Sequence, residues 1–362
     1  MEEKNYLIAL THFLKFGPAS LARLRALGAW STAWQADLEH LARVGITADL
    51  AQEFIGWRQT IQIEELLAEL NKHQIKTISL EEDLYPPLLK NIFQPPPLLF
   101  YQGDLRDELY ARTLAVVGSR RATAYGQMAV KSLVTNLAEA GITIVSGLAL
   151  GLDALAHEAT LASHGQTIAV LGSGIDRPSF YPKANRYLAD KIISNGGVIF
   201  SEFPPGTQAN KFNFPRRNRL ISGMAQGTLV VEAAAKSGSL ITAHYALEQG
   251  REVMAVPGNI FSAESAGANH LLKLGAKPVT KVEDILEVFG WENIGVSDEV
   301  IHGLSELEQQ ILQALNTEAK HLDELKDLLN VDIGVITATL TLMEVKGLVK
   351  NSGQQEFIKN VF

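Results

Sequence analysis

Cations and aromatic residues alternate in one short segment of the chain. The segment KFNFPRRNR (211–219) combines four cations with two phenylalanines. Its candidate contact residues are Lys211, Phe214, Arg216, Arg217 and Asn218. This combination suits single-stranded nucleic acid, because cations pair with phosphates while aromatic rings and guanidinium planes stack on bases. The same letters also fit a buried aromatic strap whose arginines form salt bridges.

A second cationic site follows a predicted strand. In AVVGSRRATAYG (115–126), a turn containing Gly118, Ser119 and Arg120 precedes a predicted helix. Small residues permit close backbone approach, and a helix N-terminus attracts anions. The turn lacks the GxGxxG pattern and no acidic residue ends the next strand, so a dinucleotide cofactor is not expected. We predict a phosphate site here; a tight turn with surface arginines is the alternative.

A third candidate lies in LGSGIDRPSFYPKANRYL (171–188). Gly172, Ser173 and Gly174 follow a predicted strand, and Lys183 comes shortly after them. Lys183 can reach a phosphate, and the neighbouring tyrosine can stack on a base. The alternative is a loop with a solvated helix cap.

Four other residues could carry acid–base or metal chemistry. Asp153 and His157 are four residues apart on a predicted helix, and we expect a structural pair because no third partner is evident. Glu202 and Glu232 end strands, where they could bind Mg²⁺, act as a base or pair with arginines. The sequence contains no nucleophile–base set, Walker A motif or His-rich metal spacing, so neither catalysis nor a bound metal or cofactor is expected.

Strand-like and helical segments alternate between residues 112 and 290. The predicted strands are 113–119, 142–147, 167–174, 197–203, 227–233 and 252–258. This alternation predicts an α/β domain with a parallel sheet of extended Rossmann-like type. Most of these strands end in Gly, Ser or Pro, and ligands of such sheets bind at the carboxyl ends of the strands. The three candidate sites therefore belong to one edge.

The flanking regions have a different character. The predicted organisation is a helical SAM-like or helix-hairpin-helix-like domain (1–80), a Pro-rich connector packed on the core (81–111), the Rossmann-like domain (112–290), a linker (291–303) and a winged-helix-like domain (304–362). A plain helical bundle with glycine caps is the alternative for the first region. The last region has three helices and a hairpin with its turn near 351–353. Its third helix, predicted over 332–346, carries no arginine, which favours a protein-interaction role over DNA reading.

Composition narrows the class of protein. The chain has 362 residues, 46% of them hydrophobic, and no cysteine. No apolar run approaches the roughly 20 residues of a membrane helix, so we expect a cytoplasmic protein without a membrane partner. The net charge of −8 disfavours a general nucleic-acid binder. However, residues 112–290 carry 17 Lys and Arg against 13 Asp and Glu, while the rest carries 15 against 27, which leaves room for a local basic site.

Seven motifs occur in an order that resembles the DNA-processing protein A family, also called DprA or Smf. They are VVGSRRATAYG, SGLALGLDALAHEATL, VLGSGIDRPSFYPKANRYL, SEFPPG, FNFPRRNRLISGM, LVVEAAAKSGSLITAHYAL and GREVMAVPGN. The resemblance covers about 115–275 closely. It implies a Rossmann-like domain that binds single-stranded DNA without strong sequence preference. It also implies a homodimer, and loading of the RecA recombinase onto incoming strands during natural transformation, a process of competence and DNA recombination.

The resemblance also assigns roles to residues. It implies DNA contacts at Arg120, Lys183 and Lys211, together with Arg216, Arg217 and Asn218. The helix at 269–274 is a candidate dimer contact. The rival prediction is a nucleotide hydrolase of the phosphoribohydrolase type that uses Glu232, since Gly227, Thr228 and Glu232 resemble the GT and Glu of its PGG-x-GT-x-x-E loop. The PGG part of that enzyme motif is missing here.

Overall fold

The structure is a computed structural model that describes residues 2–291, 305–315, 320–345, 348–353 and 356–359. The chain divides into two compact units, Met1–Glu292 and Asn293–Phe362. Each unit is described by itself.

A nine-stranded sheet forms the centre of the first unit. Its strands are β1 (Lys76–Ser79), β2 (Leu98–Gly103), β3 (Thr113–Val117), β4 (Thr143–Ser146), β5 (Thr167–Leu171), β6 (Val198–Ser201), β7 (Gly227–Val230), β8 (Glu252–Ala255) and β9 (Lys277–Pro278). Their order is β1-β2-β6-β5-β4-β3-β7-β8-β9. Strands β3 to β9 run parallel, whereas β2 pairs antiparallel with both β1 and β6. The predicted α/β class with a parallel core is confirmed.

The parallel strands are apolar on both faces because helices cover both. Leu114 and Val116 of β3 point to one apolar cluster, and Ala115 and Val117 point to another. The covering helices are α7 (Ala124–Glu139), α8 (Leu152–Ala162), α9 (Arg186–Ser194), α10 (Asn213–Gly223), α11 (Ser239–Glu248), α12 (Ala266–Lys273) and α13 (Val282–Phe289). All six predicted strands are present, but each ends earlier than predicted because its last residues curve into a loop.

Six helices precede the sheet: α1 (Glu3–His12), α2 (Pro18–Arg25), α3 (Trp30–Gln35), α4 (Leu38–Arg43), α5 (Ala48–Arg58) and α6 (Ile63–Lys72). Aromatic rings fill the space between them; Phe54 lies 4.8 Å from Phe16 and 5.5 Å from Phe13 between ring centroids. The same apolar cluster continues onto Leu98 and Phe100 of β2. The N-terminal helices therefore share a core with one face of the sheet.

The Pro-rich connector contributes both packing and a strand. Tyr85 is fully buried and donates its hydroxyl to the Pro96 carbonyl at 2.7 Å. Leu89 and Ile92 join the apolar cluster beneath the sheet, and β2 extends the sheet beyond β6. Strands β1, β2 and β9 are not among the predicted strands.

The second unit has the predicted three helices and hairpin. Its elements are α14 (Glu306–Ala314), β10 (Lys320–His321), α15 (Leu322–Leu329), α16 (Ile333–Val345), β11 (Val349–Gly353) and β12 (Glu356–Lys359). Strand β12 pairs antiparallel with both β10 and β11, as in a winged helix. Strand β11 continues through the predicted turn at 351–353. Residues 354–355, which follow it, lie outside the described residues. The same is true of Lys346 and of the predicted linker beyond residue 291.

Candidate nucleic-acid interface

The loops that carry the predicted contacts all follow strands at the carboxyl edge of the sheet. Gly118, Ser119 and Arg120 follow β3, and Gly172 to Gly174 follow β5. The segment 211–219 begins in the loop after β6 and continues as the first turns of α10. The chain order reverses between β3 and β7, which are neighbours in the sheet. Such a switch point is where open α/β sheets place their ligands.

An aromatic–cation group lies at this edge, and we call it the Phe214 cluster: Arg120, Gly172, Tyr181 and Phe214. The Arg120 guanidinium lies 5.1 Å from the Phe214 ring centroid. The ring of Tyr181 lies 5.7 Å from that of Phe214 and is 43% exposed. A Cβ atom at Gly172 would lie 2.8 Å from the Phe214 ring, so only glycine lets the ring lie against the β5 loop. The cluster therefore offers stacking surface beside a cation.

Two exposed lysines are close in sequence to members of the cluster, Lys183 to Tyr181 and Lys211 to Phe214. Lys183 begins a short 3-10 helix before α9, and Lys211 precedes α10. The Lys211 ammonium lies 5.1 Å from the centroid of Phe212, a ring that is 67% exposed. Among the ion pairs of the described residues, none involves Lys183, Lys211 or Arg120. Their charges are available to an anionic ligand.

Arg216 is partly committed within the protein. Its guanidinium lies 5.4 Å from the Phe203 ring centroid and 3.7 Å from the Glu202 carboxylate, and its side chain is 40% exposed. The stronger partner of Glu202 is Arg219, at 2.6 Å. Thus Glu202 forms a salt bridge, one of the alternatives foreseen from the sequence, and Arg216 keeps part of its surface for a ligand.

Arg217 and Asn218 are buried, which contradicts their predicted role as direct DNA contacts. Arg217 is 4% exposed and donates to the Gly147 carbonyl at 2.6 Å and to the Val170 carbonyl. Asn218 accepts from the Arg217 Nε at 3.2 Å and donates to the Gly238 carbonyl at 3.2 Å. Burial lowers the pKa of Arg217 to about 10, an effect that nearby Asp153 opposes. This pair joins helix α10 to the loop after β4, to strand β5 and to the loop before α11.

The predicted backbone cradle for phosphate is partly used by the protein itself. The Gly174 N–H donates to the Thr207 carbonyl at 2.9 Å. The two serine hydroxyls also bind within their loops. Ser119 accepts from the Arg121 N–H at 3.1 Å, and Ser173 accepts from the Tyr181 N–H at 3.2 Å. These residues shape the edge, while Arg120 and the lysines face outward.

The expected Asp153–His157 pair is wrong, because each side chain has a different partner. Asp153 accepts from the Gly147 N–H at 3.2 Å. Burial raises the pKa of this carboxyl, and Arg217 opposes the shift. His157 lies 2.7 Å from the Thr167 hydroxyl on β5. Both side chains of α8 face the sheet, where these groups are nearer than the next turn of the helix.

Glu232 also forms hydrogen bonds within the protein. It is 2% exposed, and its two oxygens accept from the Thr123 N–H at 3.1 Å and the Thr123 hydroxyl at 2.7 Å. Thr123 in turn accepts from the Gly126 N–H and caps α7. Glu232 therefore fixes the helix that follows the Arg120 turn. This role was not predicted, since nothing in the sequence pattern at 227–232 links Glu232 to residue 123.

Two further features of the described residues concern membranes and metal ions. Among the helices that the structure describes, none combines the length and apolar character of a membrane span. Within the same residues, no group of three or more His, Cys, Asp or Glu side chains is arranged to hold a metal ion.

Comparison with known proteins identifies relatives of both units. The family model for DNA recombination-mediator protein A matches residues 76–290, and the model for the DprA winged helix domain matches 298–353. DNA processing protein DprA of Streptococcus pneumoniae is 45% identical over 228 residues, which are 63% of this chain and 79% of that protein.

Two solved structures are similar in fold as well as sequence. The X-ray structure of DprA from Streptococcus pneumoniae gives a TM-score of 0.67 at 38% identity, covering 78% of this chain and 97% of that one. A structure of DNA processing protein A from Helicobacter pylori, described in terms of its unique single-stranded DNA binding mode, gives a TM-score of 0.53 at 30% identity. It covers 60% of this chain and 95% of that one.

Proposed function

Because this chain belongs to the DNA recombination-mediator protein A family, known as DprA or Smf, we propose that it binds single-stranded DNA at the carboxyl edge of its sheet. The observation that carries the proposal is the Phe214 cluster, together with Arg120, Lys183 and Lys211, which are exposed and form no ion pair with the described residues. The Helicobacter pylori relative has a described single-stranded DNA binding mode, which supports the same ligand here.

Phosphates and bases have separate partners in this proposal. Arg120, Lys183 and Lys211 pair with phosphates, and release of counterions supplies the affinity. Bases stack on Phe214 and Tyr181, whose faces accept any base, so we expect no strong sequence preference at these two rings. Duplex DNA keeps its bases stacked within the helix and cannot use these rings. The site therefore distinguishes single strands from duplexes by base access.

Arg217 and Asn218 act indirectly in this proposal. Since both are buried, they hold the β4, β5 and α11 loops in the arrangement that exposes the cluster. We assign them positioning roles.

We propose no covalent chemistry for this chain. A phosphoribohydrolase would need the Glu232 carboxylate free to act on a ribose, whereas both of its oxygens bind Thr123. Rates of free-base release from nucleoside monophosphates, measured with wild type and Glu232→Gln, test this part of the proposal. Release that Glu232→Gln abolishes would contradict it.

The finer roles in the family resemblance are also proposals here. Helix α12 and the residue after it expose His270, Lys273 and Leu274, the last by 69%, and a homodimer through 269–274 would join two strand sites. Linked sites bind one long strand more tightly by raising effective concentration. Such a dimer could hold a strand for RecA loading during transformation. Light scattering reports the dimer, and RecA filament assembly on strands coated with single-strand-binding protein reports loading.

The experiment that tests the central proposal is a titration of labelled (dT)20 and of a matched duplex, followed by fluorescence anisotropy over a salt series. Wild type should bind the single strand more tightly and lose affinity steeply with salt. Lys183→Glu/Lys211→Glu should weaken binding by at least about 100-fold, since each reversal removes a phosphate contact and adds repulsion. Lys131→Glu/Lys191→Glu, the same charge change on exposed lysines of α7 and α9, is the control. Equal losses in both variants, or equal affinity for duplex, would contradict the proposal.

A further inference from the structure

A cleft of about 480 Å³ lies between the N-terminal helices and the loop after β6. We call it the β6 cleft. Thr11, Leu14 and Phe16 line it on the helical side, and Glu202, Thr207 and Arg216 are among the residues opposite. Its volume is within the roughly 300–1,000 Å³ of ligand pockets. The N-terminal helices form one wall, so the sheet domain alone would not contain it.

We propose that the β6 cleft binds one nucleobase of a bound single strand and prefers a base that carries an amino group. The inference rests on the proposed function and deepens it, since it adds a base-selective position to an otherwise unselective site.

Two buried polar groups at the cleft have unused hydrogen-bonding capacity. The Glu202 side chain is 7% exposed, and Thr207 is also 7% exposed. Within the described residues, neither the Glu202 Oε2 nor the Thr207 Oγ1 has a hydrogen-bond partner. A buried polar group without a partner is costly, and native structures usually satisfy it. A ligand in the cleft could provide the missing partners.

The Glu202 carboxylate has one oxygen engaged and one free. Oε1 accepts from Arg219 at 2.6 Å and lies 3.7 Å from Arg216. The terminal torsion of a glutamate is soft, so the carboxylate can turn its free oxygen to the cleft and still accept from Arg219. A carboxylate accepts hydrogen bonds only. The ligand must therefore present a donor at this point.

The wall of the cleft also offers a planar surface. The Arg216 guanidinium lies 5.4 Å from the Phe203 ring centroid and remains 40% exposed. Guanidinium planes stack on unpaired bases in nucleic-acid complexes. A base stacked on Arg216 would direct its polar edge toward Glu202, because the Arg216 guanidinium lies 3.7 Å from the Glu202 carboxylate.

Continuity with the Phe214 cluster explains how a strand could reach the cleft. Asn210, Asn213 and Arg216 line the cleft, and Lys211 and Phe214 belong to the same turn of chain. A DNA strand that follows protein residues 210–216 would pass from the Phe214 cluster to the β6 cleft. We therefore assign the cleft to a nucleotide of the bound DNA strand and not to a separate small molecule.

The chemistry of the bases predicts the preference. Cytosine, adenine and guanine each have an exocyclic amino group that can donate to the Glu202 carboxylate, as cytosine does to acidic side chains in DNA complexes. Thymine has only an imide N–H between two carbonyl oxygens, and these repel a carboxylate. Cytosine and thymine are of similar size, so comparing them isolates this contact.

The test compares the affinities of labelled (dC)20 and (dT)20 at a pH where cytosine is uncharged. Wild type should favour (dC)20 by about tenfold, the fold-change of one hydrogen bond to a charged group. Leu14→Trp, which fills the cleft from the helical side, should abolish that preference. The control is Leu38→Trp, the same change at an exposed leucine of α4, which should keep it.

Glu202→Gln provides a second test, because an amide replaces the carboxylate with little change of shape. It should also lose the preference while its urea unfolding midpoint shows a folded protein. If wild type binds both strands equally, or if Leu14→Trp retains the preference, the cleft proposal fails and strand binding at the Phe214 cluster stands. If wild type binds neither strand, both proposals fail.

Discussion

Residues of the carboxyl edge divide into those that face solvent and those that tie the loops together. Arg216 and Arg217 are neighbours in the sequence and have the same side chain. Arg216 remains 40% exposed, whereas Arg217 is buried beneath the Gly147 and Val170 carbonyls. The difference arises from the helical turn of α10, which directs one side chain to the rim and the next to the sheet. The sequence RRNR at 216–219 does not by itself show which arginine is buried.

Arg217→Met should therefore affect stability before it affects binding. The change leaves two carbonyls without donors and Asp153 without its neighbouring positive charge. Breaking one side of a buried charged network costs about 3–5 kcal/mol, so we expect a loss of that order in the free energy of unfolding. Urea denaturation followed by circular dichroism measures it.

Arg216→Met is the matched control for this prediction. Its side chain is partly exposed and its ion pair is long, so its loss should be about 1 kcal/mol or less. Equal stability of Arg217→Met and wild type would show that Arg217 does not organise the edge.

Residue types at 211–219 predicted that aromatic and cationic side chains would meet, but they did not predict the role of each residue. The alternation of Lys211, Phe214 and the arginines indicated a nucleic-acid site, and the structure places Phe214 beside Arg120. Nothing in the sequence pattern indicated that Asp153 would accept the Gly147 N–H or that Glu232 would hold Thr123, the N-cap of α7. Both roles depend on contacts that reach beyond one helix or strand, which periodicity does not encode.

Elements with strong local signals were predicted, and elements that depend on a partner were missed. Strands β3 to β8 are apolar runs that end at turn residues, so alternation with helices identified them. Strand β2 lies in a proline-rich stretch whose prolines suggested a connector, and its pairing with β6 is antiparallel. Strand β9 has two residues and exists only through its pairing with β8.

Helix α8 supplies a prediction about pH. The Thr167 hydroxyl donates to the Ile144 carbonyl, so its oxygen accepts from the Nδ1–H of His157. This leaves Nε2 as the unprotonated nitrogen, and it has no partner among the described residues. Burial lowers the pKa of His157 from 6.5 to about 3, and the charge of Arg217 adds to the effect. His157 is therefore neutral in the native protein.

Stability should fall as the pH decreases from 6.5 toward 3. In that window the unfolded chain binds a proton at this histidine and the native protein does not, which favours unfolding. The contribution is at most about 1.4 kcal/mol per pH unit. His157→Gln should show a shallower decrease in unfolding free energy with acid than wild type. His164→Gln, at an exposed histidine after α8 that forms no ion pair with the described residues, is the control and should keep the wild-type slope. Identical slopes in wild type and His157→Gln would refute this account.

For the whole molecule, the distribution of charge matters more than its sum. The net charge is −8, yet the central region carries more basic than acidic residues. Helix α16, the third helix of the winged-helix unit, contains neither lysine nor arginine between Ile333 and Val345. A local field steers an anionic ligand even on an acidic protein. We therefore expect the strand to bind at the carboxyl edge of the first unit and not on α16.

Photo-cross-linking tests the location of the strand most directly. A short oligonucleotide with 5-iodouracil at successive positions would be bound, irradiated and mapped by peptide mass spectrometry, since halogenated bases cross-link to the aromatic rings on which they stack. Cross-links at Tyr181 or Phe214, lost in Lys183→Glu/Lys211→Glu, are the predicted result. Cross-links confined to residues 305–359, or unchanged in the charge-reversed variant, would contradict the assignment of the carboxyl edge as the DNA site.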